Sequence, residues 1–228
     1  MLNNLLLAPY FYLRKLKYSK RAKKQDWKQI VLDFWKWESD TKSEAVYSRI
    51  CDGKKKENFY AYDSSIVWYI NPRSTDVCLN IGCGIGRVEN KLCSHVLEVH
   101  SVDISEGMIR IAKENFKNIP NVSFYINNGE SLSMFQDDTF DFAFAELIFQ
   151  HVPSNVVNAY VSEVYRVLKS GGRFICQIPT IKKYGHMPRQ LCAWMTKKEV
   201  DELFSLFSSV NYDSGGTNEY YYCPIATK

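Results

Sequence analysis

The sequence predicts an α/β protein: a doubly wound, mostly parallel sheet with helices on both faces, preceded by further helices. Three observations predict it. From residue 77 onward, short apolar runs alternate with segments of helical periodicity, the β-α-β-α-β order of a parallel sheet covered on both sides. The first apolar run, Val77–Ile81, passes directly into three glycines at every second position, Gly82, Gly84 and Gly86. Ahead of it, "WKQIVLDFWKW" sets Trp27, Ile30, Val31, Phe34 and Trp35 at helical spacing. These features divide the chain into a basic and apolar arm at residues 1–25, a helical cap at 26–72 and a ligand-binding domain at 73–228.

Within that domain the elements follow in order. Leu97–Val102 reads as the second strand, ended by Asp103. Ser105 caps a helix whose apolar face holds Met108, Ile111 and Ala112. Val122–Ile126 and Phe140–Ala145 read as the third and fourth strands. The segment "PSNVVNAYVSEVYRVLKSGG" is helical, with Pro153 in its first turn, Val157, Tyr160, Val161, Val164 and Leu168 on its apolar face, and Gly171-Gly172 as its stop. Arg173–Ile178 is expected as the fifth strand. Thr196 to Glu199, "TKKE", is a capping box ahead of another helix. The closing "NEYYYCPIATK" reads as a last strand.

With 228 residues, 46% hydrophobic and 24% charged, the chain is long enough to bury a sizeable core. Its seven cysteines include no C-x-x-C pair and several lie in apolar runs, which points to buried reduced thiols, a reducing compartment and no metal cluster. Charge is uneven. Residues 1–25 hold seven basic side chains and no acid, whereas the rest holds 22 basic and 25 acidic ones. A body of that sign is a poor footprint for nucleic acid, and no nucleic-acid partner is expected. The apolar stretch Leu5–Leu13 is too short to span a bilayer and contains Pro9. Followed by its Lys/Arg cluster, it reads either as a solvated leader or as a peripheral membrane contact through residues 1–24 of a cytoplasmic protein.

Glycines at the carboxyl end of the first strand of such a sheet suit a loop on which a ligand rests. The spacing G-x-G-x-G differs from the dinucleotide pattern G-x-G-x-x-G, because Arg87 stands where the third glycine belongs, and no G-K-[ST] follows. A nucleoside ligand without a pyrophosphate fits better. Asp103, ending the second strand, can accept hydrogen bonds from both ribose hydroxyls, or simply cap the helix that starts near Ser105.

The segments "VCLNIGCGIGR", "VDISEGMIRIAKEN", "NNGESL", "DDTFDFAFAELIFQHVP" and "YVSEVYRVLKSGGRFICQ" together resemble the class I S-adenosylmethionine-dependent methyltransferases across roughly residues 74–228. The resemblance implies a Rossmann-like, doubly wound sheet of seven mostly parallel strands and S-adenosyl-L-methionine as cofactor. It assigns Asn80, Gly82, Cys83, Gly84 and Gly86 to the methionine end, Asp103 to the ribose, Ile104 and Met108 to the two sides of the adenine, and Asn128, Gly129 and Glu130 to its edge. Asn80 and Asn128 stand where the family usually has acids. A neutral hydrogen bond is worth about half a charged one, so weaker cofactor binding, or compensation elsewhere, follows. Asn80→Asp is accordingly expected to be tolerated and to tighten binding.

For the reaction, the resemblance implies transfer to a small-molecule acceptor, in its finer form O-methylation of a sugar or other metabolite by direct displacement. "AELIFQHVP" supplies the catalytic candidates: His151 as general base and Glu146 to orient the substrate or meet the methionine end. The loop with Tyr184, His186 and Arg189 is expected on the substrate side, while His95 and His100 are expected to be structural. Two other readings stay open: a non-catalytic cofactor-binding scaffold, and a protein or nucleic-acid methyltransferase docked by the basic arm.

Overall fold

The computed structural model describes residues 27–40, 59, 70–187, 189, 191–213 and 217–228. The basic arm, and the part of the expected cap between residues 41 and 69 other than Phe59, lie outside the described residues.

Seven strands form one sheet: β1 (Val77–Ile81), β2 (Glu98–Asp103), β3 (Val122–Ile126), β4 (Phe140–Ala145), β5 (Leu168–Cys176), β7 (Ser209–Tyr212) and β9 (Pro224–Thr227). Their order is β3-β2-β1-β4-β5-β9-β7. The first five run parallel, and β9 is antiparallel to both β5 and β7. Strand order reverses between β1 and β4, so the chain leaves β1 and β4 at the crevice where such sheets bind ligands. A small second sheet pairs β6 (Ile178–Pro179) with β8 (Tyr221–Tyr222).

Side-chain alternation sends the sheet's apolar residues to both faces, as a doubly covered sheet requires. Leu79, Ile81, Ala143 and Ala145 face α4 (Ser154–Val167), whose Val157, Tyr160, Val161 and Val164 are buried against them. Cys78, Phe142, Phe144 and Ile175 face the other way, onto Leu92 of α2 (Glu89–Leu92) and Val96. The helix α3 (Glu106–Asn115) packs Met108, Ile109 and Ala112 against Ile85 and Phe124. Ser105 caps α3, accepting from the Met108 amide at 3.3 Å. After the short α5 (Ile181–Tyr184), Thr196 and Glu199 form the expected capping box at the head of α6 (Lys197–Leu203).

Three expectations about elements need correction. The helix α4 ends at Val167, before the glycine pair, because Leu168 turns straight into the sheet opposite Phe140. Gly171, at φ +74°, instead marks an irregularity inside β5, where the register shifts between Phe140 and Phe142. The terminal segment is two strands, β8 and β9, parted at Cys223. Finally, β7 was not foreseen: its four residues, SVNY, are half exposed and form too short a run to stand out.

The α1 helix (Trp27–Asp40) docks on α3. At Gly107 the two helices come so close that an added Cβ would lie 2.0 Å from the hydroxyl of Ser39. No helix among the described residues is long and apolar enough to cross a membrane, and the six described cysteines are free thiols.

Candidate functional site

The glycine loop starts where β1 ends. The amides of Gly82 and Cys83 both donate to the carbonyl of Val102 on β2, at 2.8 and 3.1 Å, which stitches the loop to the neighbouring strand. Gly82 needs to be glycine twice over. Its φ is +74°, and a Cβ there would lie 2.3 Å from Cδ1 of Ile148. Gly84 and Gly86 also have positive φ. Cys83 is buried, and burial pushes its thiol well above the ordinary range, so it is an inert packing residue.

Asp103 reaches from the end of β2 into the same loop. One carboxylate oxygen accepts the Gly84 amide at 2.9 Å and the other accepts the Ser105 amide at 2.8 Å. Burial pushes its pKa up and those amides pull it back. Capping and loop bracing therefore coincide in one residue. Each oxygen keeps a second lone pair for a further donor.

Ile104 and Met108 follow on the same side, Met108 fully buried. Opposite them is the turn Asn128–Glu130. Asn127, beneath it, donates to the Tyr160 hydroxyl at 2.9 Å and accepts the Gly129 amide at 3.2 Å. Asn128 itself is exposed, and its Oδ1 accepts the amides of Glu130 and Ser131 at 3.0 and 2.8 Å. This asparagine builds the turn, a role its residue type commonly fills. Gly129 has φ +81°, and a Cβ on it would lie 2.8 Å from Ile104 and 3.4 Å from Trp27. Glu130 pairs with Lys28 of α1 at 2.8 Å. Glu163 on α4 holds the far end, accepting the Leu132 amide at 2.8 Å.

Two acidic contacts lie around the loop that spacing alone did not show. Arg87 pairs with Glu146, and both side chains are largely buried, 11% and 8% exposed. The arginine that excluded a dinucleotide motif thus ties the glycine loop to the end of β4. Below the loop, Asn80 donates its amide to Oε1 of Glu89 at 2.5 Å, and the Ser101 hydroxyl donates to the same oxygen at 2.6 Å. Asn80 and Ser101 are register partners on β1 and β2. Glu89 is fully buried, and its Oε2 has no hydrogen-bond partner. Burial pushes its carboxyl up, while Ser101 and Asn80 pull it down.

The side on which the acceptor is expected lies past β4. Leu147 has φ +57°, a conformation that costs a non-glycine residue about 1–2 kcal/mol. Its amide is held by Oε1 of Gln177 at 3.0 Å. The kink sends Glu146 toward Arg87 and Ile148 onto Gly82. A 3₁₀ turn, Phe149–His151, follows. His151 therefore sits in this turn, several residues beyond β4. Its ring stands edge-on to Trp35 of α1, 6.1 Å between centroids, and its Nε2 lies 3.1 Å from the amide nitrogen of Gln150. Oε1 of Gln150 accepts the phenols of Tyr184 at 3.2 Å and of Tyr221. The phenols themselves are 2.7 Å apart. Burial raises the pKa of both, so both stay protonated donors. With Oε1 occupied by phenols, the Gln150 amide donates to His151, whose Nε2 is thereby the unprotonated nitrogen.

Arg189 is not available on this side: it forks onto Glu199 at 2.8 and 3.2 Å and stacks over Trp194 at 4.1 Å. His186 is exposed. His100 on β2 stacks on Tyr125, while His95 lies exposed in the turn before β2. Among the described residues no group of His, Cys, Asp and Glu could hold a metal.

Sheet order, positive-φ glycine loop and Asp103 at the end of the second strand together give the Rossmann-like fold that class I methyltransferases share. Residues 79–176 match the family model described as a methyltransferase domain. A demethylmenaquinone methyltransferase of Symbiobacterium thermophilum is 36% identical over 112 residues, 46% of this chain and 43% of that protein. A sterol 4-C-methyltransferase of Caenorhabditis elegans is 33% identical over 100 residues, 43% of this chain and 29% of its own. The chain thus spans less than half the length of these two relatives. Among solved structures, the PH0226 protein of Pyrococcus horikoshii superposes with a TM-score of 0.58 at 25% identity, over 84% of this chain and 94% of its own. Phosphoethanolamine N-methyltransferase 1 of Haemonchus contortus, in complex with phosphoethanolamine and S-adenosylhomocysteine, shares the fold at TM-score 0.66 and 15% identity, over 88% of this chain and 48% of its own.

Proposed function

We propose that the chain binds S-adenosylmethionine on the Gly82–Gly86 loop and transfers its methyl group to a hydroxyl of a small neutral metabolite. The observation that carries the first half is Asp103, braced on the Gly84 amide at the mouth of the loop. The charge around the loop supports the same ligand. Among the described residues, three carboxyl groups lie at or beneath the loop, Glu89, Asp103 and Glu146, and the one cation there, Arg87, pairs with Glu146. Such surroundings repel a pyrophosphate and suit a ligand carrying a sulfonium and an ammonium. Asp103 would take the ribose hydroxyls, Ile104 and Met108 the faces of the base, and the Asn128–Glu130 turn its edge. The cofactor supplies an already activated methyl group, so the protein's task is mainly alignment.

On the acceptor side stand an imidazole, a carboxamide and two phenols, from His151, Gln150, Tyr184 and Tyr221. Neutral hydrogen-bonding groups of this kind suit a hydroxylated acceptor such as a sugar. His151 has its lone pair on Nε2, held by Gln150. An acceptor hydroxyl that displaces the Gln150 amide would meet a base there, and a deprotonated oxygen is the better nucleophile. Trp35 would close this side. The relatives named above act by their names on quinone and sterol substrates, the sterol enzyme at carbon, which supports a small-molecule acceptor but not oxygen as its atom. Calorimetry with S-adenosylhomocysteine and with NAD tests the cofactor: binding of NAD alone overturns the reading. Mass spectrometry of a metabolite extract incubated with the protein and isotope-labelled S-adenosylmethionine then identifies the acceptor, and labelling confined to macromolecules counts against a small one.

A further inference from the structure

We propose that Glu89, acting through Asn80, supplies the negative charge for the cofactor's methionine ammonium, so that a buried Asn80–Glu89 pair does the work of a single acid at position 80. The inference rests on the cofactor reading above and deepens it.

Asn80 is the last inward polar residue of β1 before the glycine loop, and it is 3% exposed. An amide in that place has two ends, and its orientation decides whether it attracts or repels a cation. The Asn80 NH₂ is committed downward, to Oε1 of Glu89 at 2.5 Å. Its carbonyl oxygen therefore faces away from Glu89. Oε1 also takes the Ser101 hydroxyl at 2.6 Å, so two donors hold the carboxyl in one rotamer. Polarised by a carboxylate behind it, the Asn80 amide presents a more negative oxygen on its other side, as linked hydrogen bonds do in a low-dielectric interior.

The second observation is the unsatisfied oxygen. Oε2 of Glu89 is buried without a hydrogen-bond partner. A fully buried carboxyl that braced the fold alone would be expected to satisfy both oxygens. Arg87 lies close enough to favour its charged form, but its guanidinium goes to Glu146. Among the described residues, the other titratable groups that feel Glu89 are the thiols of Cys78, Cys83 and Cys93, none of which can neutralise a carboxylate. Burial favours the neutral form of this carboxyl, and among the described residues no cation pairs with it directly, one layer below the loop; a cation bound above it would favour the carboxylate. A ligand ammonium on the loop is the missing counter-charge. Glu89 is then a positioning residue, since it acts on the ligand through Asn80.

The arrangement also revises the expectation for Asn80→Asp. An aspartate at 80 would set a second carboxyl against Oε1 of Glu89 in the place of a donor, so the single substitution weakens the site. Exchanging both residues restores one donor and one acid.

The test compares wild type, Glu89→Gln, Asn80→Asp and the double exchange by calorimetry. Two ligands are used: S-adenosylhomocysteine, and 5′-methylthioadenosine, which lacks the amino-acid end. Thermal melts accompany each. Glu89→Gln and Asn80→Asp are each expected to lose at least tenfold in affinity for S-adenosylhomocysteine and less than threefold for methylthioadenosine. The double exchange is expected to recover most of the loss. Equal loss for both ligands in Glu89→Gln, or no loss for either, overturns the proposal and leaves the pair as a brace for the loop. If wild type binds neither ligand, the cofactor reading falls and this inference with it.

Discussion

The carboxylate of Asp103 accepts the backbone amide of Gly84 at 2.9 Å, so the residue expected to hold the ribose is also a structural brace of the glycine loop. Asp103→Ala removes both functions. It is expected to cost roughly 1.5–3 kcal/mol of S-adenosylhomocysteine affinity, the range of hydrogen bonds to a charged group. Asp103→Asn keeps one acceptor oxygen and is expected to lie between alanine and wild type. An affinity unchanged in Asp103→Ala would leave the residue as a cap of α3 only.

Gly82→Ala combines an unfavourable backbone with a collision. At φ +74°, its Cβ would stand 2.3 Å from Cδ1 of Ile148. Left-handed strain and overpacking together are expected to destabilise the fold by roughly 2–4 kcal/mol. Adding Ile148→Ala should recover the collision part and leave the backbone part. Urea denaturation of the two variants separates them.

His151→Ala is expected to lower turnover by about 10²–10⁴-fold once an acceptor is known, with cofactor affinity nearly unchanged. A loss under about tenfold would remove the general-base role. Glu146 is a poor substitute for that role, since its carboxylate is engaged by Arg87. Arg87→Met would remove this partner from a largely buried carboxylate, and breaking such a pair destabilises by up to about 3–5 kcal/mol. A melting temperature within a degree or two of wild type would show that Glu146 is otherwise satisfied.

The capping box of α6 gives a prediction with a defined pH sign. The Arg189 guanidinium, then the Thr196 amide, hold Glu199 down at about 2. A carboxyl lowered on folding contributes stability above its unfolded pKa, and that contribution fades as pH falls from about 4.5 toward about 2. The stability gap between wild type and Glu199→Gln is therefore expected to be present at pH 7, at about 1 kcal/mol for a cap, and to shrink at pH 3. Denaturant titrations at the two pH values measure it, and a gap that widens on acidification would contradict the assigned cause.

How much of this was legible in the sequence depends on the range of the interaction. Strands β1, β3 and β4 have the bounds that their apolar runs predict, and Ser105 and Thr196 cap the helices they precede. The glycine spacing located the loop, and Asp103 stands at the end of β2 beside it. These are local signals: a periodicity, a cap or a glycine is set by residues a few positions away. The strand β7, with four half-exposed residues, has no such signal and exists only because β9 offers it an edge. Gly171-Gly172 looked like a helix stop, yet burial of Leu168 opposite Phe140 ended α4 sooner.

The electrostatics of the site belong to the tertiary structure. The resemblance implied that Asn80 stands where an acid is usual, and the glycine spacing that Arg87 takes the place of a dinucleotide glycine. The sequence by itself did not disclose that Glu89 lies against Asn80 or that Glu146 takes Arg87, because the first contact closes around the glycine loop and the second spans 59 residues. Nor did it place α1, whose aromatic stripe reads equally as core or lid until Trp27 meets Gly129 and Trp35 meets His151. Helical spacing states which residues share a face. What that face covers is decided only when the sheet has brought the ends of β1, β2 and β4 together, since burial and charge pairing act between elements that the chain alone leaves apart.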